Sequence, residues 1–253
     1  MKENLYKLGL VSVSFRKHTP IEILEAVKNA GLSYIEWGSD VHAPCGEEEK
    51  LLEIAALQKE YGIKCSSYGT YFKFGETPIS ELESYIKAAK ILGTDILRLW
   101  CGTKSGSNMT EEEKNDLVLS CRKAASIAES HGVTLCMECH KKTFTEDPAD
   151  AVFLMETIAS RHFRMYWQPF QWQDAEQNMK NAKMIAPYAT HIHVFNWKGQ
   201  DKLTLADAIS EWQGYLENFS TPRTLLLEFM PNGTLDELKN EAEALKNIVG
   251  EAL

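Results

Sequence analysis

The feature that most constrains this chain is an eightfold alternation of short apolar runs, rich in β-branched and aromatic residues, with longer stretches of helical period. The strand-like runs are Lys7–Phe15, Tyr34–Trp37, Ile63–Tyr68, Ile96–Cys101, Thr134–Cys139, Phe163–Trp167, His191–Phe195 and Thr224–Phe229. Helix starts are marked by Thr19-Pro20, Thr77-Pro78, Thr110 with Glu113, and Asp147-Pro148. At such positions a hydroxyl or carboxylate accepts from a first-turn N–H, and proline's fixed φ suits the turn. Gly31, Gly62, Gly93 and Gly132 sit just past helical runs, where a left-handed residue is needed to stop them. Each strand is too apolar to leave a face in water, so the repeat predicts an α/β fold of the closed (β/α)8 TIM-barrel type. The rival open, doubly wound sheet would carry a glycine-rich phosphate turn after its first strand, and residues 14–20, SFRKHTP, hold no glycine.

The chain has 253 residues, 44% of them apolar, and no Pro/Gly/Ser-rich linker or low-complexity stretch. One barrel domain over residues 1–253 is therefore expected. The start MKENLYKLGL lacks an apolar core with a cleavage site, and no window approaches the roughly 20 apolar residues of a membrane span, so a soluble cytoplasmic protein without a membrane partner is expected. The six cysteines are scattered through regular elements, as reduced thiols rather than a disulfide framework. Cys136-x-x-Cys139 is read as strand alternation, since no second such pair accompanies it. A net charge of -9 and the lack of a basic stripe argue against nucleic acid as a partner.

In such barrels the chemistry lies at the C-terminal ends of the strands. Four consecutive strands, the fifth to the eighth, end in residues that bind or ionise: Glu138, Gln168, His193 and Glu228. Two carboxylates inside a barrel are costly unless neutralised, and a single divalent metal among these four donors resolves the conflict. Oxygen-rich ligation with one imidazole favours Mn, and Mg, Co or Zn are compatible with it.

The segments WGSDVH (37–42), LRLWCG (97–102), MECHKKTFTEDP (137–148), MYWQPFQW (165–172), HIHVFNW (191–197) and LLLEFM (225–230) resemble those of the xylose isomerase-like barrel superfamily, the sugar phosphate isomerase/epimerase family, over essentially the whole chain. The resemblance implies a metal held by Glu, Asp, His and Glu from strands five to eight, with the two Glu residues, here Glu138 and Glu228, acting as the acid/base pair. The chain departs at strand six, where an expected Asp-x-x-His is Gln168-Pro-Phe-Gln171. That exchange removes one negative charge, which should weaken metal binding yet favour an anionic enediolate.

The chemistry so implied is proton abstraction next to a carbonyl of a small sugar, giving an isomer or epimer. Elimination from a 3-keto glycoside, or a noncatalytic sugar-binding barrel, are the alternatives; a homo-oligomer is compatible with any of them. A DNA-repair endonuclease would need further His ligands after strands three and four, and none is there. Supporting residues expected to contact substrate are Trp37, His42, Arg98, His140, Gln171, Trp197 and Lys198, against the plainer readings of core packing, loop or ion pair. Glu36 is the obvious neighbouring-strand partner for Arg98 if that residue is structural.

Overall fold

The computed structural model describes residues 6–221 and 223–250; residues 1–5, 222 and 251–253 of the expected domain span lie outside the described residues. Eight parallel strands close into a barrel: β1 (Lys7–Val11), β2 (Tyr34–Gly38), β3 (Lys64–Lys73), β4 (Ile96–Trp100), β5 (Thr134–Glu138), β6 (Phe163–Trp167), β7 (Ala189–Val194) and β10 (Thr224–Leu227), with β10 paired to β1. The remaining two strands, β8 (Asn196–Lys198) and β9 (Asp201–Leu203), form a short antiparallel hairpin after β7 that the sequence reading did not anticipate.

Among the described residues eight α-helices surround the barrel: α1 (Pro20–Asn29), α2 (Glu48–Tyr61), α3 (Leu82–Leu92), α4 (Glu111–His131), α5 (Pro148–Ile158), α6 (Ala175–Ile185), α7 (Ile209–Leu216) and α8 (Leu238–Ile248). Capping boxes form where Thr19 meets Glu22 and Thr110 meets Glu113, each satisfying orphan N–H groups at both ends of the box. Gly62, Gly93 and Gly132 end their helices in the left-handed region. Thr77 behaves otherwise: its hydroxyl accepts from the Lys73 N–H, and α3 begins only after a 3-10 turn over Ile79–Glu81.

The strands also differ from expectation at their ends. The run expected as one strand from Lys7 to Phe15 leaves the sheet at Val11 and continues as a 3-10 turn, because Ser12 is drawn inward to accept from the Gly38 N–H and to bond His42. β3 runs five residues beyond Tyr68, to Lys73, and so raises one wall of the barrel mouth.

Two apolar layers result. The larger fills the space between sheet and helices, with Trp167 packed against Trp212, Tyr215 and Phe219. The smaller, of Val11, Val13, Cys136, Tyr166 and Leu226, is the apolar part of the barrel interior. The rest of the interior is polar, because Glu36, Ser67, Arg98, His191 and His193 are buried there. No described helix is long and apolar enough to cross a membrane, and all six cysteines are free thiols.

Candidate metal centre and its cavity

Parallel register brings the four predicted donors to one end of the barrel. Glu138 closes β5, Gln168 follows β6, His193 lies in β7 and Glu228 follows β10. Around Nδ1 of His193 stand Gln168 Oε1 at 3.0 Å, Glu138 Oε1 at 3.3 Å and Glu228 Oε2 at 3.4 Å. Donors about 2.1 Å from a common centre are separated by about 3.0–3.4 Å, the edges of an octahedron or tetrahedron, so these spacings fit one divalent ion. The amide of Gln168 is aimed by its other end, since Nε2 donates to the Cys139 carbonyl at 2.9 Å and leaves Oε1 toward the cluster. The buried Nε2 of His193 has no hydrogen-bond partner and faces Glu36 Oε1 at 3.7 Å, while Nδ1 lies among the other three donors.

A layer of charge lies beneath. Arg98, fully enclosed, donates from Nε to Glu36 Oε1 at 2.8 Å and from a terminal nitrogen to Glu138 Oε2 at 2.5 Å. Trp100 donates its indole N–H to the same Glu138 oxygen, so Oε1 alone is turned to the cluster. Glu36 Oε2 accepts from Ser67 and Tyr166, each at 2.8 Å. Gly69 is the cradle for this layer, because a Cβ there would lie 2.8 Å from both Arg98 and Glu36.

The two cluster carboxylates consequently differ. Burial would raise both, but the Arg98 guanidinium overrides it at Glu138 and holds that group, like Glu36, well below the usual carboxylate range. At Glu228 burial wins, helped by the Glu138 charge, and the group is pushed up to about 7. His193 resists burial because carboxylates surround it, and is raised to about 10. Without an ion, three carboxylates against one guanidinium leave a charge of minus two, and protons on His193 and Glu228 cancel it. One divalent cation would cancel it equally.

Above the donors opens a cavity of about 370 Å³ whose walls include Arg16, Tyr71, Trp100, His140, Gln171 and Trp197. Of the expected contact residues, Arg98, His140, Gln171 and Trp197 border it. Trp37 lies elsewhere: it is wholly buried, with its indole N–H on Gln58. His42 is buried on Ser12 and the His18 carbonyl, and burial keeps it below its ordinary pKa. Lys198, in the hairpin, pairs with Glu211 at 2.6 Å. A larger cleft of about 580 Å³ at the opposite end of the barrel, lined by Lys7, Asp95 and Arg164 among others, has no such convergent donors among the described residues.

One backbone strain serves the site. Phe229 has φ 58°, a region that costs a non-glycine residue about 1–2 kcal/mol. Its N–H is fixed by Ser14 Oγ at 3.0 Å, and its ring meets Trp197 edge-on at 5.1 Å. The turn follows Glu228, which itself follows the last residue of β10, and makes Phe229 part of the cavity wall. Residues that sequence reasoning did not single out for the site are Tyr166, Ser67, Tyr71 and Phe229. Only Tyr166 left a signal, as a polar aromatic between Met165 and Trp167 inside a barrel strand.

Residues 24–215 match the model of the xylose isomerase-like TIM barrel family, and the chain belongs to that family. A curated relative, 3-dehydroshikimate dehydratase of Bacillus anthracis, is 22% identical over 214 residues, covering 78% of this chain and 74% of its own. Among solved structures, a probable 3-dehydroshikimate dehydratase involved in petrobactin synthesis from Bacillus anthracis superposes with a TM-score of 0.79 at 16% identity, covering 95% of this chain and 99% of the other. D-psicose 3-epimerase from Clostridium cellulolyticum, solved with D-tagatose, gives 0.71 at 13% identity, with 96% and 98% covered. At these identities the structural likeness establishes the barrel.

Proposed function

We propose that this chain is a divalent-metal-dependent enzyme that removes a proton from a carbon next to a carbonyl of a small sugar or sugar derivative and returns it, acting as an isomerase or epimerase. The observation carrying this reading is that two carboxylates, Glu138 and Glu228, share one donor cluster in unequal surroundings, one pinned and ionised, the other near neutrality at about 7. Groups whose environments separate their pKa values in this way suit paired acid and base roles.

Glu138, Gln168, His193 and Glu228 would hold the ion, with Mn, Mg, Co and Zn all compatible with that donor set. When bound, it supplies electrophilic pull on the substrate carbonyl and balances the charge of an enediolate. The chain's residues carry the protons. Glu228 moves one between its carboxylate and the substrate carbon, and Glu138 serves as its counterpart. Arg98 and Trp100 keep Glu138 oriented and ionised. Trp100 and Trp197 offer aromatic faces to a sugar ring, with His140 and Gln171 at the rim as polar contacts. Return of the proton to the opposite face gives an epimer, and return to the neighbouring carbon an isomer.

Similarity to a dehydratase favours a second reading, in which the same abstraction is followed by loss of a β-hydroxyl as water; a 3-keto glycoside would lose its substituent the same way. The test is proton NMR of Mn- or Mg-loaded protein in D2O with ketoses, aldoses and 3-keto glucosides, with Glu228→Gln as control. Exchange at the carbon next to the carbonyl, abolished in the variant, is expected. Product identity separates epimer, isomer and alkene, and binding without exchange across the panel would point to a sugar-binding barrel instead.

A further inference from the structure

Beyond Trp100 the cavity continues. A side chamber of about 230 Å³ shares Trp100, His140 and Lys141 with the main cavity and is completed by Lys73, Lys142 and the backbone at Gly102, among others. Among the described residues no acidic side chain lines it, whereas three lysines do. Lys73 is partly satisfied, pairing with Glu76 at 3.1 Å while its ammonium lies 5.3 Å from the Trp100 ring centre. Lys141 sits 5.4 Å from the Trp172 ring. Among the described residues neither Lys141 nor Lys142 has a carboxylate within 4.0 Å of its ammonium. The nearby Lys104 and Glu113 are paired with each other at 2.5 Å.

The backbone that presents the two lysines is strained. Lys142 has φ 63°, and its N–H is held by Glu146 Oε2 at 2.7 Å. Such outliers persist where the surroundings enforce them and gather at ligand sites. Across the chamber Gly102, with φ 84°, would direct a Cβ into open space. A chain of net charge -9 that concentrates unpaired ammonium groups on one wall of its cavity has a local field opposite to its overall one. A liquid water occupies about 30 Å³, so the chamber has room for one small substituent rather than a polymer.

We propose that the substrate carries an anionic substituent, a carboxylate or a phosphate, received by Lys141 and Lys142 beyond Trp100 while the carbon to be deprotonated lies over Glu138 and Glu228. This rests on the enolising reading above. It assigns the chamber as a specificity element, since a neutral sugar leaves the lysines with water only.

The experiment is a ¹⁵N NMR titration of Mg-loaded protein with inorganic phosphate and, separately, with malonate. Saturable shifts confined to the amides of residues 102–103 and 141–143 are expected, weakened about tenfold in Lys141→Gln/Lys142→Gln, as two exposed ion pairs would give. The anion that binds more tightly identifies the substituent. Absence of saturable shifts with both anions, shifts at Glu138 and Glu228 instead, or shifts that persist in the double variant would overturn the proposal. A variant spectrum unchanged elsewhere excludes misfolding as the cause. Deuterium exchange does not enter this titration: failed exchange with intact anion binding sinks the enolising reading, and the reverse sinks only the chamber.

Discussion

Loading the cluster with a divalent ion should expel protons in a number set by pH. In the metal-free chain three buried carboxylates face one guanidinium, and His193 at about 10 and Glu228 at about 7 hold the two compensating protons. Metal ligands must be deprotonated, so binding releases whatever protons they carry. At pH 6 both sites are filled and about two protons should leave; at pH 8.5 Glu228 is already ionised and about one should leave. Affinity therefore rises with pH, by about tenfold per unit for each proton released. Between pH 7 and 9 that amounts to about a hundredfold, from His193 alone. Isothermal titration with Mn in buffers of different ionisation enthalpy measures the proton count directly. A count near zero at pH 6, or an affinity flat from pH 6 to 9, would mean that the ion is not replacing these protons and that the assigned cluster is wrong.

Three variants test the same geometry. Glu228→Gln should slow deuterium exchange by about 10²–10⁴. It should also stabilise the metal-free chain at pH 8: a carboxylate raised from 4.5 to about 7 loses stability as pH rises through that range, about 3 kcal/mol at most. Thermal melts should accordingly show the variant several degrees higher at pH 8 and level with the parent below pH 4.5, and a gain independent of pH would contradict this origin. Gln168→Glu adds a charge to the cluster and turns the donor to the Cys139 carbonyl into an acceptor; Mn affinity should rise about tenfold while exchange slows. Arg98→Met leaves Glu36 and Glu138 buried without a cation and should cost about 3–5 kcal/mol in chemical denaturation, part of it recovered by adding Glu36→Gln.

Much of this was written in the sequence because barrels convert strand order into position. Once eight βα units were recognised, residues at the ends of consecutive strands had to meet, and Glu138, Gln168, His193 and Glu228 do meet around one imidazole nitrogen. Capping likewise depends on residues three apart in the chain, and Thr19 and Thr110 took the bonds that spacing implies. Contacts across the barrel are of another kind. Tyr166 and Glu36 are 130 residues apart and meet because both point inward. Strand alternation alone does not say which of two faces is the inside when both are buried, and each barrel strand is covered on both sides. Trp37 shows the cost of that ambiguity, since it sits at a strand end like Trp100 yet faces the helices and bonds Gln58.

The polar floor changes what the departure at strand six means. Counted from sequence, two Glu residues and a divalent ion sum to zero, and a third acidic ligand in place of Gln168 would leave one negative charge. The interior adds Glu36 and Arg98, which cancel each other, so the sum is still zero, but the charges are no longer interchangeable. Arg98 spends one nitrogen on Glu36 and another on Glu138, binding the floor to the pinned carboxylate while Glu228 stands apart with its pKa near neutrality. An Asp in place of Gln168 would put a further anion beside Glu228 and hold its proton more tightly. Gln168 provides the oxygen without the charge, and so keeps the metal-loaded cluster at zero net charge, where the negative charge of an enediolate is best accommodated.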